Sequence, residues 1–374
     1  MPATLLAVGL AFAALGLLTV FRSPDWLDWR LAVLAGQFGY ALALAPLCAG
    51  LLAWLLPGDR GALGFSACAA CAAAVVLLAQ PCAQAWLIGR DLPARLGRAF
   101  GSGGREAQPF TAAGLFRSWP APAPKSTWTY SGALKLDFYP AVGASHAPCV
   151  IVLHGGGWDD GDRGQIPQFN DGLARSGYAV ADVSYRLAPG AVWPAQRDDV
   201  AAAVAFVKAH AAAWGVDAAR LVLLGRSAGG QIAEASAYAF RDPSIRGVVA
   251  LYAPADLNFA WTWGRKDDVL HSRDLMRRFL GGTPLTEGPA YDSASAFLLV
   301  GPRSPPTLLI HGGIDTLVWH RQSERLAARL SEEGVPNLLV SIPWATHALE
   351  FNPSGPSGQL VRYSVGWFLG AVCR

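Results

Sequence analysis

One stretch of the chain decides the fold: Leu221-Val222-Leu223-Leu224-Gly225-Arg226-Ser227-Ala228-Gly229-Gly230. Its apolar start predicts a buried strand, and the alanine-rich residues that follow it predict a helix. The intervening Gly-x-Ser-x-Gly is typical of a sharp strand-to-helix turn that holds a serine hydroxyl out at the carboxyl edge of a sheet. The flanking glycines lack a Cβ and permit the strained backbone of such a turn. Ser227 is therefore the candidate nucleophile.

The sequence around this stretch alternates short apolar runs with helical stretches from about Thr127 onward. We predict strands near residues 127–139, 149–153, 178–184, 220–225, 246–252, 306–310 and 337–342, and helices near 195–213, 228–240, 320–333 and 359–371. This alternation predicts an α/β fold, a mostly parallel sheet covered by helices. Residues 256–299 break the rhythm, and we expect them to form a small cap over the carboxyl edge, where α/β proteins bind ligands.

A second glycine-rich turn, His154-Gly-Gly-Gly-Trp158, follows the predicted strand at 149–153. Its backbone N–H groups are unblocked by side chains and can converge on one oxygen atom. Together with the N–H of Ala228, those of Gly156 and Gly157 would form an oxyanion hole, where one donor is typically worth about 3 kcal/mol of transition-state stabilisation. The alternative is a merely flexible turn, which the downstream serine turn argues against.

A serine hydroxyl needs a base and an acid that orients the base. Asp315 and His347 each follow a predicted strand, so both side chains are expected at the same sheet edge as Ser227. Asp256 occupies a similar position one strand before Asp315 and is a rival for the acid. We favour Asp315 because a predicted helix follows it and because His347 lies one strand further along the chain.

These motifs resemble those of the esterase and lipase branch of the α/β-hydrolases, most closely the hormone-sensitive-lipase-like and feruloyl-esterase-like carboxylesterases. Within residues 127–372 they are His154-Gly-Gly-Gly-Trp158, Ser184-Tyr-Arg-Leu-Ala-Pro189, Trp193-Pro-Ala-Gln-Arg-Asp-Asp199, Gly225-Arg-Ser-Ala-Gly-Gly230, His311-Gly-Gly-Ile-Asp315 and His347. The resemblance implies an α/β-hydrolase fold and carboxylic ester hydrolysis. It also implies that Ser227 attacks, that His347 acts as general base and then acid, and that Asp315 orients it.

Arg226 departs from the family pattern, because many lipase-like members carry an acidic residue before the serine. The departure leaves the turn intact and bears on the acyl or alcohol preference. For the acyl pocket we name Trp158, Trp193, Trp261 and Trp263 as candidates, although large aromatic side chains more often belong to a core.

The first 90 residues carry most of the apolar excess of a chain that is 52% hydrophobic and 15% charged. Uncharged runs at 4–21, 31–56 and 62–89 are long enough to cross a bilayer, and they predict three transmembrane helices in a membrane region of residues 1–90. Residues 91–126, rich in glycine and then proline, predict a linker to a catalytic domain of residues 127–374.

The basic residues around these runs predict the orientation in the membrane. Arg22 and Arg30 lie in the first connection and Arg60 in the second, whereas the third run is followed by four arginines: Arg90, Arg95, Arg98 and Arg105. Since cytoplasmic flanks carry the excess of Lys and Arg, we expect the amino terminus outside and the catalytic domain in the cytoplasm.

Composition narrows the choice of partners. A net charge of +3 without a basic run argues against nucleic acid, and the seven histidines lack the spacing of metal ligands. We therefore expect no metal and no organic cofactor, a small or amphipathic ester as substrate, and membrane lipid as a partner.

The sequence as a whole predicts a membrane-anchored serine carboxylesterase that works through an acyl-Ser227 intermediate. Two alternatives remain open. The same triad could transfer the acyl group to another alcohol or cleave an amide or formamide. Alternatively, the domain could be a non-catalytic binding module with a hydrolase fold.

Overall fold

The structure is a computed structural model that describes residues 1–55, 61–104, 108–119, 125–264 and 268–374. Parts of several predictions fall outside these residues, namely the last residue of the run at 31–56, the proline-rich end of the linker, and the orientation residues Arg60 and Arg105.

An eight-stranded sheet forms the centre of the α/β domain, in the order β1-β2-β4-β3-β5-β6-β7-β8. Its strands are β1 (Ser126–Ser131), β2 (Leu134–Tyr139), β3 (Ala147–Leu153), β4 (Ala179–Val183), β5 (Val216–Arg226), β6 (Ile245–Leu251), β7 (Thr307–Gly312) and β8 (Asn337–Ile342). β3 to β8 run parallel, and β1 and β2 add an antiparallel edge. The predicted mostly parallel sheet is confirmed. The single strand expected at 127–139 is a hairpin that turns at Gly132, whose φ is +52°.

Thirteen α-helices accompany the sheet in the described residues. They are α1 (Pro2–Leu17), α2 (Trp26–Leu42), α3 (Leu44–Leu55), α4 (Ala62–Phe100), α5 (Pro167–Arg175), α6 (Ala195–Trp214), α7 (Ala228–Phe240), α8 (Leu257–Trp263), α9 (Ser272–Leu280), α10 (Gly288–Ala294), α11 (Ala296–Leu299), α12 (Arg321–Glu332) and α13 (Pro356–Val372). One face of the sheet packs against α6, α7 and α12, and the other against α4, α5 and α13. Helices α8 to α11 make up the segment expected to be a cap.

The second half of α4 belongs to the α/β domain. Ala85, Leu92 and Leu96 are fully buried in the same apolar cluster as β3 and α13, and Arg95 Nη2 donates to Leu339 O of β8 at 2.8 Å. The linker predicted to begin at residue 91 is therefore wrong at its start, because residues 91–100 continue a 39-residue helix. The sequence could not show this boundary, because an alanine-rich helix has the same composition whether lipid or a protein core surrounds it.

Helices α1 and α3 pack against the first half of α4. Gly9 of α1 faces Cys71 and Gly16 faces Leu77, so α1 runs parallel to α4. A Cβ added to Gly16 would come within 2.6 Å of the Leu77 side chain, which shows how closely the two helices approach. Small residues permit this approach in helical bundles, including those in membranes.

The predicted span at 31–56 is a bent pair of helices, since α2 and α3 meet at 49°. α2 lies on the α/β domain. Its Gln37 is buried and donates from Nε2 to Leu349 O at 2.7 Å and to Ser357 Oγ at 2.9 Å. A polar side chain with two partners in the domain anchors α2 there, so the first half of the run is a docked helix.

Among the described helices, α4 is long and apolar enough to cross a membrane, and α2 with α3 would be a second candidate only as one broken span. α1 is apolar but has only 16 residues. Three transmembrane helices are thus not confirmed.

Candidate active site

Ser227 lies in the turn between β5 and α7, with φ 51° and ψ −120°. A positive φ is strained for a residue with a side chain and persists only where the surroundings enforce it. Here the backbone packs so closely around both flanking glycines that neither position has room for a Cβ, and this packing holds the turn in its conformation. A Cβ at Gly225 would lie 2.1 Å from Gly229 O, and one at Gly229 would lie 2.3 Å from His154 O. The serine turn thus packs closely against the end of β3.

The glycine turn after β3 lies beside Ser227. A Cβ at Gly155 would be 3.4 Å from Ser227 Cβ, and Gly156 and Gly157 have φ of +131° and +60°. In the described part of the chain, no hydrogen-bond acceptor takes up the N–H of Gly156 or Gly157. Ala228, the first residue of α7, has an N–H outside the helical ladder. These three predicted donors are thus available for an oxyanion.

Gln165 holds the glycine turn in place and was not anticipated from the sequence. Its Oε1 accepts the Gly155 N–H at 2.9 Å and so fixes the start of the turn. Nearby, the Gly164 N–H donates to Asp182 Oδ2 at 2.7 Å. A glutamine ten residues from its partner carries no sequence signature for this role.

Gln165→Leu is expected to lower kcat for ester hydrolysis by roughly 10- to 100-fold, since a shift of about 1 Å in catalytic groups costs that much. KM should change less, because the cavity walls stay in place. Steady-state kinetics on a soluble ester measure both constants, and Gln168→Leu, a change to a nearby glutamine on α5, is the matched control. Equal kinetics for both variants would contradict the role of Gln165.

The structure brings His347 and Asp315 together. His347 Nδ1 and Asp315 Oδ2 are 2.7 Å apart, and both residues are buried. Asp315 Oδ1 accepts the N–H groups of Leu317 and Val318 at 2.8 and 3.0 Å. A carboxylate can only accept, so Nδ1 of His347 carries the proton and Nε2 is left free to act as a base.

Asp315 is held in its ionised form. Burial by itself would raise its pKa, but the charges and hydrogen bonds of His347 and His311 outweigh burial and set the pKa well below the usual range. His311 Nε2 lies 3.3 Å from Asp315 Oδ2, and its Nδ1 lies 2.7 Å from Ser323 Oγ. His311 and His347 thus both approach Oδ2 of the acid.

Two further sequence expectations concern the Ser227–His347 hydrogen bond and the rival acid Asp256. Within the described residues, Ser227 Oγ makes no hydrogen bond to His347, whose ring packs 4.3 Å from that of Tyr252. Bonds of this kind often tighten only when substrate is bound. Asp256, the rival acid, is engaged elsewhere: its Oδ1 caps α8 at Phe259 N, and its Oδ2 accepts from Arg325 Nη2 at 2.9 Å.

A cavity of about 350 Å³ opens beside the serine turn. Ser227, Gly157 and Ala228 form part of its wall, and most of the remainder is apolar, including Phe259, Leu275, Met276, Leu317, Val318 and Trp319. Most of the apolar walls come from the cap and from the loop after Asp315. Because these segments meet only in the folded chain, sequence reasoning missed most of the lining.

Two of the four tryptophans proposed for the pocket line this cavity, Trp158 and Trp263. The other two do not. Trp193 is buried and donates from Nε1 to Ser293 Oγ at 3.1 Å, and Trp261 packs edge-on against Tyr291 with ring centroids 5.8 Å apart. Trp193 thus packs on the cap from the loop before α6, and Trp261 packs within the cap, so their placement in the acyl pocket is corrected.

Arg226, the departure from the family pattern, forms a buried ion pair. Its Nε lies 2.9 Å from Glu350 Oε1, and the two side chains are 2% and 1% exposed. The Tyr252 hydroxyl donates to the same Oε1 at 2.6 Å. Since Glu350 lies three residues after His347, the pair ties the serine turn to the loop of the candidate base.

Glu350→Gln is expected to destabilise the protein by about 3–5 kcal/mol, because it leaves the Arg226 charge buried without a counter-charge. The double variant Arg226→Met with Glu350→Leu removes both charges and should recover most of this loss. Chemical unfolding in detergent measures the free energies. A Glu350→Gln variant as stable as the wild type would contradict the assignment of a buried ion pair.

The described residues contain no group of three or more His, Cys, Asp and Glu side chains that could hold a metal ion.

A family model described as BD-FAE matches residues 136–330, which is more than half of the chain. The chain belongs to the BD-FAE family. The match spans the glycine turn, the serine turn and Asp315, whereas His347 lies beyond it.

Curated relatives of this BD-FAE chain are named as esterases. It is 28% identical over 214 residues to the probable carboxylic ester hydrolase LipM of Mycobacterium tuberculosis, covering 54% of this chain and 50% of the relative. It is 34% identical over 153 residues to the carboxylesterase NlhH of the same species, covering 38% and 47%. The chain spans about half the length of these curated relatives.

Solved structures resemble the BD-FAE chain over most of their own length. An esterase from Pyrobaculum calidifontis superposes with a TM-score of 0.58 at 25% identity, covering 66% of this chain and 84% of that one. An arylesterase gives 0.59 at 21%, covering 69% and 88%. The predicted α/β-hydrolase fold, in its esterase and lipase branch, is confirmed.

Proposed function

We propose that this protein is a membrane-attached serine carboxylesterase. The observation that carries the proposal is the buried 2.7 Å hydrogen bond between His347 and Asp315, at the same sheet edge as the strained Ser227 and its cavity. The esterase names of the relatives support the same reaction class.

In the proposed reaction, Ser227 Oγ attacks the ester carbonyl carbon and its proton passes to His347 Nε2. The carbonyl oxygen becomes an oxyanion that accepts the N–H groups of Gly156, Gly157 and Ala228. His347 then returns the proton to the leaving alcohol as the C–O bond breaks, which leaves an acyl-serine. Water, deprotonated by His347, attacks the acyl-serine and releases the carboxylic acid and free Ser227.

Attachment to a membrane is proposed for the amino-terminal helices. Large apolar side chains are exposed along α1, α3 and the first half of α4: Leu10, Leu44, Leu51, Leu55, Phe65 and Val76. Exposed apolar surface of this extent marks contact with lipid or with a partner. If α4 spans the membrane, the parallel α1 would begin on the side opposite the α/β domain, and following the arginine count we propose that the domain is cytoplasmic.

The experiment is hydrolysis of 4-nitrophenyl butyrate by the full chain in detergent, with and without a competing alcohol. Release of butyric acid supports hydrolysis, whereas butyrate esters of the added alcohol would indicate acyl transfer. A folded protein that forms neither product would contradict the esterase proposal and favour a binding module.

A further inference from the structure

The cavity beside Ser227 has one wall that the α/β domain does not supply. Arg22, in the connection between α1 and α2, lines it together with Thr316 and Trp263. The next residue fixes this connection, because the buried Ser23 donates its N–H to Thr316 Oγ1 at 3.1 Å. The connection is thus attached to the loop that follows Asp315, and it borders the cavity.

Arg22 is the one cationic residue among the described residues that line the cavity. The other charged lining residue, Asp268, uses Oδ1 to accept the N–H groups of Leu270 and Ser272. Arg22 makes no ion pair with any residue that the structure describes. The described lining therefore presents one guanidinium without a direct ion-pair partner, at the amino-terminal side of a cavity whose walls are mostly apolar.

The surface next to Arg22 carries exposed apolar and aromatic side chains beside the exposed Asp25. Phe21, Trp26 and Leu27 are 62%, 43% and 66% exposed, and Trp263 on the cap is 65% exposed. Phe21, Trp26 and Leu27 lie shortly after α1, whose exposed large side chains are apolar. Aromatic residues beside arginine are typical of the level at which a membrane meets water. The cavity therefore borders the zone where the apolar helices join the α/β domain.

We propose that the substrate is an ester drawn from a lipid surface and bearing an anionic group outside the acyl chain, such as a phosphate. The acyl chain occupies the apolar cavity near Leu275 and Met276, and the anionic group pairs with Arg22. This inference rests on the proposed esterase function, and it names the substrate class of that site.

The test compares acyl-ester hydrolysis of phosphatidylglycerol and phosphatidylcholine with identical chains, in vesicles containing the full-length protein. The wild type should prefer the anionic lipid in kcat/KM by about three- to tenfold, as expected for one partly exposed charged contact. Arg22→Ala should abolish the preference, Arg22→Lys should keep most of it, and Arg30→Ala, on the exposed side of α2, should match the wild type.

A water-soluble short-chain glycerophosphate ester separates the lipid surface from a free anion. Faster hydrolysis of the vesicle lipid is expected, whereas turnover of the soluble anionic ester alone would overturn the lipid source. An equal rate on both lipids, or a preference that survives Arg22→Ala, would overturn the role of Arg22. Hydrolysis of 4-nitrophenyl butyrate in the same preparation keeps these outcomes distinct from failure of the esterase proposal.

Discussion

Replacing Ser227 by alanine is expected to lower kcat for ester hydrolysis by a factor of about 10⁶, the loss typical of removing the nucleophile of a triad. The variant keeps the cavity and the three proposed oxyanion donors but has no hydroxyl to form the acyl intermediate. His347→Ala should lose a similar factor. Because the two residues act as one unit, the double variant should be hardly slower than either single variant. Steady-state kinetics with 4-nitrophenyl butyrate measure these rates.

Ser272→Ala is the matched control, since it removes another hydroxyl from the same cavity. It should lose less than about tenfold, because a wall residue affects binding without taking part in bond formation. Turnover by Ser227→Ala within about tenfold of the wild-type rate would contradict the assignment of the nucleophile.

The second large effect is expected from Asp315→Asn, with a fall in kcat of about 10⁴. The asparagine amide would donate a hydrogen to His347 Nδ1, which places the imidazole proton on Nε2 and blocks it as a base. Because His347 Nδ1 and Asp315 Oδ2 are only 2.7 Å apart, a side chain that donates at this position would act directly on the imidazole.

Asp256→Asn distinguishes the two candidate acids by the same kinetic measurement. Asparagine can still cap α8 and loses only the ion pair with the partly exposed Arg325, so this replacement should cost little stability and leave turnover within about tenfold. A larger loss of kcat for Asp256→Asn than for Asp315→Asn would reverse the choice of acid.

The sheet was predictable because its strands are buried on both faces, and short apolar runs between helical stretches have few other interpretations. The amino-terminal helices were harder to place, because apolar, alanine-rich runs fit lipid and a protein core equally well. Gln37 is the residue that reveals the docking of α2, yet its two partners lie more than 300 residues away in the sequence.

The residues of the candidate site also fall into a group that the sequence predicts and a group that it does not. Residues in local motifs, such as Ser227 and Gly156, could be named because a turn imposes a recognisable pattern on neighbouring positions. Contacts between distant segments could not. Arg226 and Glu350 are 124 positions apart, and no pattern in either segment indicates that they pair. Arg22 at the cavity wall was likewise hidden, because its segment read only as a connection between apolar runs.

The central claim is that Ser227 is an activated nucleophile, and covalent labelling by a fluorophosphonate probe tests it most directly. The detergent-solubilised full chain is treated with the probe, and peptide mass spectrometry locates the label. We predict labelling of Ser227 in the wild type, and its loss in Ser227→Ala and His347→Ala. A folded wild-type protein that stays unlabelled, or that carries the label on another serine, would contradict the claim.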